Sequence, residues 1–225
     1  ENKYGPGALV MVLPKSLKWL IPNFSFLRAQ LDRYSFVAKQ GLDRPVLGDL
    51  SSFQEPSSIF SITYGKGSKI VDMLNYVLSD AAFERFLKRY FKEFSFRNIK
   101  VLDLQKLASQ EAGRDLNWFF DNWLNTSLTC DYAVRKVKDN RIFLENYGSI
   151  PMPVDIEVEL ENGQLQSYAW DGKEKEHEIQ IESSRKIKAI KVDPKKRILD
   201  LDRINNNWER KIDIRPVALY YPIYE

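Results

Sequence analysis

The chain contains one histidine, His177, and one cysteine, Cys130, which limits the metal chemistry that it can support. A catalytic zinc site usually takes three protein ligands from histidine, cysteine and carboxylate side chains. His177 lies in an alternating pattern with Ile179 and Ile181 and has no histidine companion, which favours a packed or surface histidine over a ligand. A carboxylate-only site for Mg²⁺ or Ca²⁺ stays open, although the spacing of a calcium-binding loop is absent. We therefore expect this chain to bind no zinc and no other cofactor.

Nucleophilic catalysis has equally little support. A Ser-His-Asp triad would have to use His177, and the G-x-S-x-G turn that presents such a serine is absent. Cys130 with His177 is the one thiol–imidazole combination, and no family signature surrounds it. The run Gly65-Lys66-Gly67-Ser68 slightly resembles a phosphate-binding loop but lacks the earlier glycine that such a loop requires.

The segment from Ile62 to Leu74 is the most informative stretch, because it places Tyr64 immediately before a helical pattern and away from its apolar stripe. A phenol on an exposed turn can donate a hydrogen bond to an oxyanion that develops during a reaction. The alternative is a tyrosine that only packs at a helix N-terminus. Local chemistry alone favours this second interpretation.

The first half of the sequence has the apolar spacing of amphipathic helices. Three stripes are formed by Ile70, Met73, Leu74, Val77 and Leu78, by Phe83, Phe86, Leu87, Tyr90, Phe91 and Phe94, and by Leu116, Phe119, Phe120, Trp123 and Leu124. A shorter helix carrying Leu104, Leu107 and Ala108 is expected to stop at Gly113. Ser79 or Asp80 is expected to cap the second helix and Asp115 the last one. Four consecutive amphipathic helices predict a helical bundle.

The upstream sequence predicts a further helix from Phe24 to Lys39 and an irregular loop from Leu42 to Ile59, which contains two prolines. The apolar segment Ala8–Leu20 is expected to pack against sequence that precedes this chain. A helix that lies on a membrane surface or binds a partner is the alternative.

After about Leu128 the apolar period changes to two. Strands are predicted at Tyr132–Val137, Arg141–Tyr147, Val154–Leu160, Leu165–Trp170, Glu176–Glu182 and Lys186–Val192. Asn162-Gly163 is a strong hairpin signal between two of them. Six or seven short strands within about 75 residues are typical of a small antiparallel β-sandwich.

The predicted fold class is therefore a multidomain α+β protein, in which a helical bundle is followed by a small antiparallel β-sandwich. We expect the helical part to cover residues 1–127, the sandwich residues 128–204, and a tail or linker residues 205–225. The 225 residues carry a net charge of +3, which gives no electrostatic reason to propose nucleic acid as a partner. No run is long and apolar enough to cross a bilayer, and a single cysteine leaves the compartment open.

An ordered set of motifs from Ile59 to Leu124 resembles the aminopeptidase N-type zinc peptidases of the gluzincin group. The set comprises Tyr64, Lys66, Gly67, Met73 and Leu74, a phenylalanine-rich helix ending in Tyr90, Phe94-Ser95-Phe96, Leu102-Asp103-Leu104, Asp115-Leu116 and Phe119-Phe120-Asp121-Asn122-Trp123-Leu124. The clear match covers about a third of the chain. In the family this block is the C-terminal, helical part of the catalytic domain, and a fibronectin-like β-sandwich follows it.

The resemblance implies that Tyr64 is the catalytic tyrosine, whose hydroxyl stabilises the oxyanion formed when zinc-bound water attacks a peptide carbonyl. The family's H-E-x-x-H helix, its glutamate zinc ligand and its Gly-x-Met-Glu-Asn segment are absent, and all three belong upstream of Tyr64 in the family. We therefore expect a fragment that begins just after the third zinc ligand, is inactive alone, and functions with an upstream zinc-binding segment and a peptide substrate.

Two alternatives stay open. A parent protein whose zinc ligands have been lost would make this chain a non-catalytic scaffold or protein-binding module built on a peptidase frame. Some bacterial relatives continue after the sandwich into membrane-associated segments, and the aromatic tail from Leu219 to Tyr224 is compatible with membrane association or with docking onto the protein.

Overall fold

The computed structural model describes residues 26–53 and 55–208, and it consists of helices followed by two antiparallel sheets. The predicted segment Ala8–Leu20 and the residues after Trp208 lie outside the described residues. The helices are α1 (Phe26–Lys39), α2 (Pro56–Phe60), α3 (Gly67–Leu78), α4 (Asp80–Phe94), α5 (Val101–Ala112) and α6 (Asn117–Asn125), with a 3₁₀ turn at Leu50–Ser52 and a π-helical turn at Ser61–Lys66. The predicted order of fold elements, and with it the fold class, is confirmed.

The stripes predicted for α3 and α6 form the centre of the helical part. The α3 residues Ile70, Met73, Leu74, Val77 and Leu78 are all buried, as are Phe119, Phe120 and Trp123 of α6. Helix α5 ends where Gly113 takes a left-handed conformation with φ 64°, which confirms the predicted stop. The stripe predicted for α4 is only partly buried, because Phe86 is buried whereas Leu87 and Phe91 are exposed.

Several predicted helix boundaries are wrong in detail. The segment Leu42–Ile59 is not wholly a loop, because Pro56 begins α2; proline suits the first helical turn, where no backbone N–H partner is needed. Ser79 precedes α4 but makes no capping bond through its side chain. The residue before α6 is Leu116 rather than Asp115, although a carboxylate oxygen of Asp115 accepts the Asn117 N–H at 3.2 Å.

The sandwich contains two sheets with strand orders β1-β2-β5 and β4-β3-β6-β7. The strands are β1 (Tyr132–Lys138), β2 (Arg141–Asn146), β3 (Val154–Leu160), β4 (Leu165–Trp170), β5 (Glu176–Gln180), β6 (Ile187–Val192) and β7 (Asn207–Trp208). The inward residues of β3 are all buried and alternate with half-buried acidic ones, as the period of two predicts. The β3–β4 hairpin turns at the predicted Asn162-Gly163, where Gly163 has φ 81°.

Strand β7 pairs with β6 through Ile190–Trp208 and Lys191–Asn207, so the sheet continues beyond residue 204. The helices and sheets share one hydrophobic core. Within the described residues, none of the helices combines the length and the apolar character that a bilayer crossing requires.

Candidate functional site

Tyr64 lies in the π-helical turn Ser61–Lys66, which joins α2 to α3 in one continuous helical path. The sequence predicts a turn before the helix, so the local backbone differs from that expectation. At the end of the π turn the Gly67 N–H is shared between the carbonyl of Ile62, five residues back, and that of Tyr64, three residues back; the first of these is the π-helical bond. Short π segments are rare and are often found at functional sites.

The Tyr64 side chain is 61% exposed. Its ring stacks on that of Phe60, with ring centroids 5.9 Å apart and planes at 14°. The Phe60 side chain is itself largely exposed. The phenol therefore stands on the surface, supported along one face by a second aromatic ring.

Lys66, two residues later in the same turn, points the opposite way and is fully buried. Its ammonium lies 3.0 Å from Oδ2 of Asp43 and donates to the carbonyl of Thr126 at 3.2 Å. The Tyr34 hydroxyl donates to the same Asp43 oxygen at 2.8 Å, and the Lys66 Nζ lies 5.8 Å from the centre of the Tyr34 ring. The four residues form a buried polar cluster beneath Tyr64, named the Lys66 cluster below.

The electrostatics of the Lys66 cluster follow from its burial. Desolvation lowers the pKa of Lys66, and the neighbouring Asp43 carboxylate partly offsets that effect. Burial, and then the negative charge of Asp43, raises the pKa of Tyr34 well above its ordinary value. Tyr34 therefore stays a neutral donor to Asp43.

The Lys66 cluster was not predicted, although the sequence contains one signal of it. Lys66 lies four residues after Ile62 and four before Ile70, so it occupies a position on the buried stripe of a helix. A lysine on such a stripe is seldom fully buried without a charged partner. The partner itself lies 23 residues away, and the sequence does not identify it.

His177 and Cys130, which were considered above as a metal ligand and a nucleophile, each contact other parts of the protein. The His177 ring stacks on Trp170 at 5.3 Å between centroids, in agreement with a packed histidine. The Cys130 thiol is fully buried and donates to the carbonyl of Leu199 at 3.2 Å. Burial raises the pKa of that thiol well above its ordinary value, so Cys130 is not an activated nucleophile. Residues 26–53 and 55–208 contain no group of three His, Cys, Asp or Glu side chains that could hold a metal ion.

Residues 25–123 match the model of the Peptidase family M1 domain. Over 78 residues the chain is 36% identical to an aminopeptidase N of Lactococcus lactis, a match that covers 34% of this chain and 9% of the relative. A glutamyl aminopeptidase of Sus scrofa is 29% identical over 99 residues, covering 44% of this chain and 10% of the relative.

A longer alignment of 156 residues, at 28% identity, is with the tricorn protease-interacting factor F2 of Thermoplasma volcanium and covers 64% of this chain and 19% of that protein. Among solved structures, Legionella pneumophila aminopeptidase A in complex with aspartic acid superposes with a TM-score of 0.49 at 16% identity, covering 76% of this chain and 21% of that one. The chain thus spans about a tenth to a fifth of the length of the curated relatives it matches.

Proposed function

We propose that this chain belongs to a zinc-dependent aminopeptidase that removes N-terminal residues from peptides, because residues 25–123 match the model of the Peptidase family M1 domain. In this proposal the chain supplies Tyr64 and one wall of the substrate cleft, and an upstream segment supplies the metal ligands. The isolated chain is then inactive.

The exposed phenol of Tyr64 is the observation that carries the proposal. Its side chain is 61% exposed on a π-helical turn, whereas neighbouring Lys66 is fixed inside the protein. The described chain therefore holds the backbone of Tyr64 in place and leaves the hydroxyl accessible to a ligand. A donor whose position is fixed before the reaction costs little reorganisation in the transition state.

The chemistry assigned to Tyr64 is a hydrogen bond from its hydroxyl to the oxyanion that forms when water adds to a peptide carbonyl. Zinc supplies activation of the attacking water in enzymes of this kind. The described residues do not fit a zinc site, since they contain no suitable group of three ligands and both His177 and Cys130 are packed elsewhere.

Tyr64→Phe in the full-length protein tests this role. The change removes one hydroxyl and keeps the ring that stacks on Phe60. We expect kcat for an aminoacyl anilide substrate to fall about a hundredfold or more, as for the loss of one oxyanion donor. The matched control is Tyr147→Phe, which makes the same chemical change on an exposed tyrosine that immediately follows β2.

Near-normal turnover in Tyr64→Phe would contradict the assignment of Tyr64. Full-length protein that shows no zinc-dependent hydrolysis at all, with the natural tyrosine present, would instead favour the scaffold or binding module. Sequencing the native polypeptide upstream of Glu1 separates the two at once, because the proposal requires an H-E-x-x-H helix and a following glutamate there.

A further inference from the structure

Lys66 is buried on the inner side of the turn that presents Tyr64 on its outer side, and it forms an ion pair there with Asp43. We propose that the Lys66–Asp43 pair is a positioning device, which holds the π-helical register of Ser61–Lys66 and thereby the direction of the Tyr64 phenol. This inference rests on the oxyanion role proposed for Tyr64.

The first step of the argument is that the turn has an alternative conformation. A regular α-helix and a π-helix differ by one residue in the backbone hydrogen bond, from i−4 to i−5. Closing the bond from Gly67 to Ile62 therefore inserts one residue relative to an α-helix. Restoring the α-helical register would turn this segment by one residue, about 100° around the helix axis at 3.6 residues per turn. Tyr64 would then point elsewhere.

The second step is that Lys66 makes its contacts only in the observed register. Its ammonium lies 3.0 Å from the carboxylate of Asp43, which is in the loop after α1. It also donates at 3.2 Å to the carbonyl of Thr126, which directly follows α6. The same one-residue rotation would take the ammonium away from both. A buried cation without its partner is strongly unfavourable, so the pair selects the π register.

The third step is that a hydrogen bond from another element fixes the position of the Asp43 side chain. The Tyr34 hydroxyl of α1 donates to the Asp43 oxygen that receives Lys66, at 2.8 Å. Helix α1, the loop after it and the π turn thus meet at the Asp43 carboxylate, and the end of α6 joins them through the bond from Lys66 to the Thr126 carbonyl. The anchor for Tyr64 is therefore tied to three separate parts of the helical bundle.

Steady-state kinetics of the full-length protein distinguish positioning from simple stabilisation. Lys66→Met replaces the ammonium with an apolar side chain of similar length. We expect kcat to fall about tenfold or more with KM within about twofold, because misplacing a reacting group reduces the rate more than it weakens binding. Asp43→Asn, which keeps one carbonyl oxygen for Tyr34, should lower kcat in the same direction and serves if Lys66→Met does not fold.

Lys69→Met is the matched control. Lys69 is also buried in this part of the helix and also loses two partners, the Asp72 carboxylate and the Lys196 carbonyl at 2.7 Å. One of these partners lies on α3 itself and the other between β6 and β7, so neither belongs to the π turn. We expect kcat of Lys69→Met to stay within about twofold of the natural protein at a temperature where both variants are folded.

The double variant Tyr64→Phe with Lys66→Met separates positioning of the phenol from a purely structural role of Lys66. It measures the effect of Lys66→Met on kcat when the Tyr64 hydroxyl is absent. If Lys66 acts through Tyr64, Lys66→Met should change kcat by less than about twofold once the phenol is gone. Hydrogen exchange of the amides from residue 61 to 67 should quicken in Lys66→Met and not in Lys69→Met.

Three results would overturn the inference. If kcat of Lys66→Met equals that of Lys69→Met, the Lys66–Asp43 pair does not position the phenol. In that case a large loss of kcat in Tyr64→Phe would still support the proposed function. Equal losses from Lys66→Met with and without the phenol would show a separate role for the lysine. Normal turnover in Tyr64→Phe would remove both the proposed function and the inference built on it.

Discussion

At the scale of single residues, two tyrosines of the helical part differ in burial and therefore in whether their hydroxyl can reach a ligand. Tyr34 is buried and its hydroxyl is already committed to Asp43. Tyr64 is exposed, and its ring stacks on that of Phe60. A phenol bound inside the protein has no proton left to share with a ligand, whereas an exposed phenol can turn its hydroxyl toward a bound molecule. The same residue type thus donates to an internal carboxylate in one place, and in the other it is proposed to donate to a ligand.

Asp200 is a buried carboxyl whose surroundings change its pKa. Its oxygens accept hydrogen bonds from the backbone of Tyr132 at 2.9 Å, the Asn206 amide at 3.1 Å and the backbone of Asp202 at 3.0 Å. These bonds favour the carboxylate, but desolvation outweighs them and raises the pKa of Asp200 from 3.8 to about 7.

This raised pKa of Asp200 predicts a loss of stability as pH rises. Between about pH 4 and 7 the folded protein retains a proton that the unfolded chain has released. The stabilisation is therefore complete below pH 3.8, falls steadily as pH rises, and is lost above about pH 7. From pH 5.5 to 7.5 we expect this residue to remove about 2 kcal/mol from the free energy of unfolding. Urea unfolding at both pH values measures it.

Asp200→Asn is the control for that measurement, because the amide keeps the shape of the side chain and does not titrate. The variant should be less stable overall, since its NH₂ group replaces an acceptor, but its free energy of unfolding should fall less between the two pH values. Parallel pH dependence in the natural chain and the variant would contradict the assigned pKa of Asp200.

At the scale of elements, the turn after β4 is packed far more tightly than the hairpin before it. Gly172 and Gly163 both have positive φ, at 72° and 81°. A Cβ on Gly172 would lie 2.2 Å from the Met152 carbonyl oxygen and 2.3 Å from the Tyr132 hydroxyl. Around Gly163 there is open space. The Tyr132 hydroxyl donates to that same Met152 oxygen at 2.6 Å and so links β1 to the segment just before β3, which belongs to the other sheet.

Gly172→Ala and Gly163→Ala therefore form a matched pair. Both substitutions place a side chain in a left-handed conformation, which costs about 1–2 kcal/mol. Only Gly172→Ala also displaces the Tyr132–Met152 contact, so we expect its loss of stability to reach about 3 kcal/mol or more. Denaturant midpoints compare the two variants. Equal losses would show that the turn can move aside without disturbing Tyr132.

The elements that the sequence predicts well are those determined by local pattern. The α3 stripe, the stop at Gly113 and the Asn162-Gly163 hairpin each depend on residues a few positions apart, and the structure confirms them. The exposed Leu87 and Phe91 of α4 were wrongly expected to be buried, because an apolar stripe does not reveal how much of it a neighbouring element covers.

The candidate site shows where local pattern fails. The π turn spans only six residues, too few to show a period of its own, so the sequence around Tyr64 gave no sign of it. The exposure expected for Tyr64 agrees with the structure, whereas its catalytic role stays a prediction. The Lys66–Asp43 contact joins residues 23 positions apart, and such pairs depend on the tertiary fold rather than on spacing.

At the scale of the whole molecule, the helices and the sandwich contact each other through buried side chains. The Trp123 indole N–H of α6 donates to the Met152 sulfur at 3.3 Å. The Leu199 backbone N–H donates to the Met73 sulfur of α3 at 3.2 Å. Lys69 adds its bond to the Lys196 carbonyl. The division into residues 1–127 and 128–204 is therefore proposed as a division of architecture, with one core shared between the two parts.

This shared core predicts that the two parts unfold together. Met73 is fully buried, and Met73→Ala would leave a cavity at the contact with Leu199. Loss of a buried methionine side chain typically costs about 2–5 kcal/mol. We expect hydrogen exchange under increasing denaturant to show α3 and β3 losing protection at the same concentration, and Met73→Ala to lower both transitions equally. Val71→Ala, an exposed change on the same helix, is the control and should move neither transition measurably. Strands that stay protected after α3 has opened in Met73→Ala would show instead that the sandwich is stable by itself.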